Sequence, residues 1–118
     1  MRGQNRDNVV LKLDNADPDY ANPNAPRAVI SQFTDTGGGT NGNQFGNSIF
    51  DLTVDTGANN PGASGIVFHQ NNYGSLQDVT VRSSDASFRG VRGIDLNTNQ
   101  PGPGLIRNVY VQGFDYAA

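Results

Sequence analysis

The stretch Ser75-Leu76-Gln77-Asp78-Val79-Thr80-Val81 decides the fold prediction, because it recurs along the chain. Related copies occupy residues 48–54 and 105–111, and a weaker one occupies residues 8–13. They share the order aliphatic, any residue, Asp or Asn, aliphatic, any residue, Val. A repeat with a period of about 20 to 50 residues indicates stacked structural units rather than an irregular fold.

The physical reason for stacking is that each copy is a short strand that cannot bury its apolar face alone. If successive copies lie in parallel register about 4.8 Å apart, like side chains form continuous columns. The predicted columns are Ile49, Leu76 and Ile106; Leu52, Val79 and Val109; and Val54, Val81 and Val111. The Asp or Asn position is expected to form a polar ladder where each strand bends, with side chains bonded to the backbone.

A second unit begins at Gly65-Ile66 and recurs at Gly93-Ile94, with a third copy expected at Gly113-Phe114. Turn-rich segments separate the units. Residues 14–27 and 34–46 are expected to be long loops, and residues 28–33 a strand between them. Gly, Asn and Pro concentrate in such connections because they favour turns.

These patterns predict an all-β fold: a single-stranded right-handed parallel β-helix of a few coils, with long loops near the N-terminus. Residues 1–118 are expected to form one domain, an excerpt of a longer solenoid. The alternatives are an antiparallel β-sandwich, which does not need a motif that recurs in phase, and a leucine-rich repeat, whose Leu/Asn signature is missing. Disorder is disfavoured by the regular β-branched bursts.

Composition excludes several classes of function. The net charge is −3, with a single Lys and scattered Arg, which disfavours nucleic-acid binding. There is no Cys, and so no disulfide framework or thiolate metal site. No apolar run reaches the roughly 20 residues of a membrane span, and no leader resembling a signal peptide opens the chain.

Residues 3–13, 47–55 and 101–109 resemble coils of the pectate-lyase superfamily of right-handed parallel β-helices. The similarity is closest to bacterial β-helix proteins related to exo-β-1,3-glucanase-type glycoside hydrolases. The resemblance implies a secreted, extracellular protein that handles polysaccharide, as part or relative of a glycoside hydrolase or polysaccharide lyase. A lyase-like activity would add Ca²⁺; otherwise no cofactor is expected. No catalytic residue of that family maps securely onto this chain.

Glycoside hydrolysis commonly uses two carboxyl groups about 5 to 10 Å apart. Because the chain has no Glu, only Asp can supply them. Asp95 and Asp115 fall at the same position of the second unit and are the candidate catalytic pair. Asp55 is expected to face outward near the end of its strand. The alternative is that these carboxylates only keep the surface solvated.

The candidate substrate-binding residues are aromatic or basic side chains near the turns. Aromatic faces can stack on sugar rings, and Arg can clamp a carboxylate. The candidates are His69, Tyr73, Arg89, Arg92 and Tyr110, with amides from Asn71, Asn72 and Gln77. Turn formation, local ion pairs and packing under a loop are the corresponding structural roles.

Three functional hypotheses remain open from the sequence. The first is a polysaccharide-degrading enzyme, or part of one, with its catalytic residues either in this chain or outside it. The second is a non-catalytic carbohydrate-binding module. The third is a structural solenoid that associates end to end with itself or docks on further coils, because unpaired strand edges can template pairing. Neither nucleic acid nor membrane is an expected partner.

Overall fold

The computed structural model describes residues 1–32, 46–70, 73–96 and 102–118. Within them, seven β-strands and one short 3-10 helix are formed. The strands are β1 (Val10–Lys12), β2 (Arg27–Ser31), β3 (Ser48–Asp55), β4 (Ala63–Val67), β5 (Gly74–Arg82), β6 (Ile94–Asp95) and β7 (Gly104–Gln112), and the 3-10 helix is Pro18–Tyr20.

The strands form two sheets in which every pairing is parallel. The first has the order β1-β3-β5-β7 and the second β2-β4-β6. Leu52 pairs with Val79, and Val79 pairs with Val109. The predicted side-chain columns are therefore confirmed, and the antiparallel sandwich is excluded.

The predicted single-stranded right-handed parallel β-helix is nevertheless wrong. The described residues form a compact globule of 37 × 33 × 19 Å, whose four-stranded and three-stranded sheets do not close into a solenoid. The physical reason is that a repeat reports which strands lie side by side, and not whether each repeat closes into a coil. Parallel layers of this kind are typical of α/β proteins, although the described parts of the connections are turns, loops and the 3-10 helix.

The core lies between the two sheets. It is built from the inward columns of β3 and β5 together with Ile66 and Ile94 of the second sheet and Phe68, which follows β4, all at most 2% exposed. The glycine of the second unit lets the sheets approach: a Cβ on Gly65 would stand 2.1 Å from Cγ1 of Val81. The recurrent Gly-Ile pair thus reflects close packing between the sheets.

The polar positions lie side by side where the ladder was predicted, but the hydrogen bond observed there joins two side chains and not a side chain and the backbone. Asp51, Asp78 and Asn108 have φ values of +58°, +55° and +51°, in the left-handed region that Asp and Asn tolerate better than most residues. The Asn108 Nδ2 donates a hydrogen bond of 2.6 Å to Oδ1 of Asp78. Each long strand is therefore divided at this position into two shorter extended segments.

The third copy of the second unit is out of register with the other two. Arg92 pairs with Tyr116 across an isolated bridge, so the position of Gly93 corresponds to Ala117 rather than to Gly113. Gly113 has a φ of +88° and lies in a turn. The prediction failed because Gly-Phe resembles Gly-Ile in sequence but serves a turn in this part of the chain.

The N-terminal connections agree with the prediction as far as the structure describes them. Residues 14–26 form a loop that contains the 3-10 helix, and Asp17 caps that helix by accepting a hydrogen bond from the Asp19 backbone N–H. The predicted strand over residues 28–33 is observed as β2. Residue 33 and the predicted loop residues 34–45 lie outside the described residues.

Candidate functional site

One cleft lies where β5 and β7 begin. It encloses about 390 Å³ and is lined by Tyr73, Gly74, Ser75, Gln77, Pro103, Gly104 and Leu105. The volume is within the range of small-ligand sites, roughly 300 to 1,000 Å³. The parallel pairing of Gly74 with Gly104 brings its two walls together.

Tyr73 dominates this cleft. Its side chain is 88% exposed, although the Tyr73 backbone is fixed by a 3.1 Å hydrogen bond from its N–H to the Pro103 carbonyl. Its φ of +73° is a conformation that costs an aromatic residue about 1 to 3 kcal/mol. A held backbone and an exposed ring together present a flat apolar surface to solvent.

The polar groups of the cleft come from β5. Ser75 lies 3.1 Å from the Ser48 hydroxyl, oxygen to oxygen, and Gln77 is half-buried. Glycine at 104 allows a close approach of the two walls, since a Cβ there would stand 3.0 Å from the Gly74 carbonyl oxygen. The residues lining the cleft include no carboxylate, imidazole or guanidinium. The arrangement offers an aromatic face, a hydroxyl and an amide, which suit binding rather than acid–base chemistry.

A second cleft of about 290 Å³ contains two of the predicted residues. It is lined by Arg92, Ile94, Asp95, Leu96, Tyr116 and Ala118. The Arg92 Nη1 donates to Oδ2 of Asp95 at 2.6 Å, and this ion pair is partly open to water. Arg92 and Asp95 are thus brought together as a local ion pair, which was the structural alternative for such Arg residues.

The predicted carboxylate pair is not side by side. Because Arg92 pairs with Tyr116, Asp115 lies next to Val91, and its backbone N–H donates to the Gly90 carbonyl at 2.9 Å. Asp95 comes four residues after Val91, the residue opposite Asp115. The two aspartates are therefore offset by about 13 Å along the strand direction, at 3.3 Å per residue. The predicted alignment of Asp115 with Asp95 is wrong because it was based on aligning Gly113 with Gly93, whereas Gly93 is opposite Ala117.

The remaining candidates are dispersed. His69 is 1% exposed and lies in the interior, beside the buried Phe68. Arg89 is exposed, and its carbonyl accepts a hydrogen bond of 2.8 Å from the Ser83 hydroxyl. Tyr110 is 53% exposed, outward as predicted, and its hydroxyl donates to the Gln112 side chain at 3.3 Å. Asn71 and Asn72 lie outside the described residues.

The sequence reasoning missed a polar network at the ends of β3 and β5. Asp55, expected to face outward, is fully buried. Its carboxylate accepts hydrogen bonds from the Arg82 Nε at 2.9 Å, the Ser84 hydroxyl at 2.6 Å and the Gly57 backbone N–H at 2.9 Å. The signal in the sequence was Asp55-Thr56-Gly57, an Asp two residues before a Gly, which is typical of a turn closed by the Asp side chain.

Buried Asn60 continues this network into the N-terminal loop. Its amide nitrogen donates to the carbonyls of Asp14 and Thr56 at 2.8 Å, and its oxygen accepts from the Asp17 backbone N–H at 2.8 Å. One amide therefore fastens residues 14–17 to the turn that follows β3. Such a fully bonded buried amide has a structural role.

Two carboxyl groups have shifted pKa values in this region. Burial raises the pKa of Asp55, but hydrogen bonds from Ser84, Gly57 and Arg82 outweigh burial and leave the pKa below its ordinary value. Backbone hydrogen bonds from Asn59 and Ser87 likewise lower the pKa of Asp85. Both carboxylates are therefore charged acceptors at neutral pH and not proton donors.

In the part of the chain that the structure describes, no group of three His, Cys, Asp or Glu side chains is arranged to hold a metal ion. No described helix is long and apolar enough to cross a membrane. The chain was compared with protein-family models, curated proteins and solved structures, and none of the three comparisons gave a match.

Proposed function

We propose that this protein binds a carbohydrate, without cleaving it, at the cleft around Tyr73. The observation that carries the proposal is the 88% exposed Tyr73 ring on a fixed backbone beside a cleft of about 390 Å³. A sugar ring can stack its apolar face on the tyrosine while its hydroxyls exchange hydrogen bonds with Ser75 and Gln77. The resemblance of the sequence to polysaccharide-handling proteins supports the same chemistry.

Binding is favoured over turnover because of where the carboxylates lie. Hydrolysis needs two carboxyl groups on either side of the scissile bond, and the cleft is lined by none. Asp95 is engaged by Arg92 and lies at a different level from Asp115. A catalytic role for Asp95 and Asp115, a need for Ca²⁺ and an extracellular location stay predictions from the sequence.

The test is titration calorimetry with soluble polysaccharides, starting with laminarin and polygalacturonate because of the families that the sequence resembles. Stacking about 60 Å² of apolar sugar surface contributes about 1.5 kcal/mol, so Tyr73→Ala is expected to weaken binding roughly tenfold. Tyr110→Ala is the matched control, since its ring is also exposed but lies far along the strand from the cleft.

The proposal fails if neither polysaccharide binds, or if Tyr110→Ala weakens binding as much as Tyr73→Ala. Incubation of any bound polysaccharide with the protein, followed by an assay for reducing ends and unsaturated products, tests the second part. Release of either product would show turnover and contradict binding alone.

A further inference from the structure

The exposed apolar side chains are concentrated at the two ends of the strand stack. Nine large hydrophobic residues of the described chain are exposed, and only Tyr73 and Phe88 lie away from its outermost segments. The others, at one end, are Met1, Val10 and Leu11, and at the other end Leu105, Ile106, Tyr110 and Tyr116. Such clustering marks an interaction surface rather than the scattered exposure of ordinary surfaces.

Both ends are also open sheet edges. β1 and β7 each pair on one side only within the four-stranded sheet, and β7 is nine residues long. A long strand paired on one side only presents backbone N–H and C=O groups that can template another strand, although the Asn108 carbonyl already accepts a hydrogen bond of 3.2 Å from the Arg6 Nη1. Because every pairing in this sheet is parallel, a copy placed by translation would present β1 to β7 with the correct polarity.

The side chains of the two edges match in register. Leu11 pairs with Val54, Val54 with Val81, and Val81 with Val111, so one apolar column runs from the first edge to the last. Val10 and Tyr110 are the ends of a neighbouring column in the same way. A second copy stacked on β7 would place its Leu11 over Val111 and its Val10 over Tyr110.

The second sheet adds a complementary charge pair. Arg27 pairs with Ala63, the Val91 N–H bonds the Ala63 carbonyl, and Asp115 lies beside Val91. Arg27 and Asp115 are therefore the two ends of one column. In a stacked pair they would be adjacent at about one strand spacing, 4.8 Å. Arg2 and Arg107 are the ends of another column and would bring like charges together. Both pairs are exposed, so salt screens this repulsion and the Arg27–Asp115 attraction alike.

The end faces are large enough for a stable contact. Nine-residue strands span roughly 30 Å, so the 19 Å dimension of the molecule is the stacking direction and the ends measure up to 37 by 33 Å. Specific protein interfaces commonly bury about 800 Å² per partner, and an end face of these dimensions can supply that area.

We propose that a second copy of this chain docks head to tail, with its β1 edge on the β7 edge and its Arg27 beside Asp115. The contact uses different surfaces on the two copies, so it does not close at a dimer but continues into longer stacks. The interface leaves the Tyr73 ring free but includes Leu105, which also lines the cleft. Association is therefore measured without polysaccharide, so that its outcome is distinct from that of the carbohydrate proposal.

Sedimentation velocity over a dilution series, from about 1 to 500 μM, tests the proposal with two edge variants. Ile106→Lys blocks the β7 edge, and Leu11→Lys blocks the β1 edge. Both side chains are exposed, and circular dichroism checks that each variant is folded. The wild type is expected to form species beyond the dimer, and each variant alone to be monomeric. A mixture is expected to give dimers only, since one free edge of each kind remains.

Charge reversal provides a second, independent measurement. Arg27→Asp and Asp115→Arg are each expected to weaken association about two- to fivefold, as for an exposed ion pair, and the combined variant to regain most of it. The internal partner of Arg27 is Asp19, and both side chains of this pair are largely exposed. A wild type that is monomeric throughout the series, a Leu11→Lys variant that associates like the wild type, or a combined variant no better than either single one would overturn the proposal.

Discussion

Replacing the buried Asp55 is the perturbation for which the structure gives the clearest magnitude. Asp55→Ala removes the hydrogen bonds from Arg82, Ser84 and Gly57. Each bond to a charged group contributes about 1.5 to 3 kcal/mol. The Arg82 side chain is 48% exposed, and Ser84 is exposed, so water replaces part of the loss. We expect the free energy of unfolding to fall by about 3 kcal/mol.

The assay is urea denaturation followed by far-ultraviolet circular dichroism at pH 7. Asp19→Ala is the matched control, because Asp19 also pairs with an arginine, Arg27, at 3.0 Å, but is 72% exposed. Exposed pairs of this kind contribute less than about 1 kcal/mol. Equal losses for the two variants, or a loss below about 1 kcal/mol for Asp55→Ala, would refute the assignment of Asp55 as a buried anchor.

The same carboxylate sets the direction of a pH dependence. The pKa of Asp55 is lower in the folded protein than its ordinary value of 3.8. Its contribution is therefore fully present above the unfolded-state pKa and is lost as pH falls through the folded-state pKa. The wild type should lose more stability between pH 5 and pH 2 than Asp55→Asn does. Parallel pH profiles for the two proteins would contradict this.

Three further substitutions test the packing between strands. Val79→Ala removes two buried methyl groups and should cost about 2.5 kcal/mol in urea denaturation, against under about 0.5 kcal/mol for Val10→Ala, which is 41% exposed. Gly65→Ala puts a Cβ 2.1 Å from a valine methyl of the facing sheet. The free energy of unfolding should fall by about 1 to 3 kcal/mol, which lowers the melting temperature by more than about 5 °C. An unchanged melting temperature would contradict the close approach. Asn108→Asp puts a second carboxylate against Asp78, now 2.6 Å from its amide nitrogen, and should lower stability at pH 7 but not at pH 3; a loss independent of pH would argue against the contact.

Strand positions and register could be read from the sequence because they leave a direct trace in it. A side chain that packs on its equivalent in the next strand must be of similar kind, and this is why Leu52, Val79 and Val109 recur in phase. The bend at the Asp or Asn position was readable for a related reason, since the left-handed conformation observed there is one that few residues other than Asp and Asn tolerate. These features depend on local rules that each copy of the motif repeats.

The way the fold closes and the geometry of the candidate site both depend on contacts that are not repeated from one copy of the motif to the next. Whether a repeat closes into a coil is determined by its connecting segments, which differ in length and composition. The sequence alone did not show that Arg82, at the end of the next strand, and Ser84, two residues beyond it, would cover the Asp55 carboxylate. The separation of Asp95 from Asp115 follows from a shift of register at a turn, which no spacing between similar motifs reveals.

The parallel, in-register ladder on which every later step depends is tested most directly by nuclear Overhauser contacts between methyl groups. Val79 lies one strand away from both Leu52 and Val109. The account predicts strong contacts from the Val79 methyls to both residues, and none between Leu52 and Val109, which are separated by roughly 10 Å. Contacts of Val79 with only one of the two, or a pattern of antiparallel pairing between β3 and β5, would contradict it.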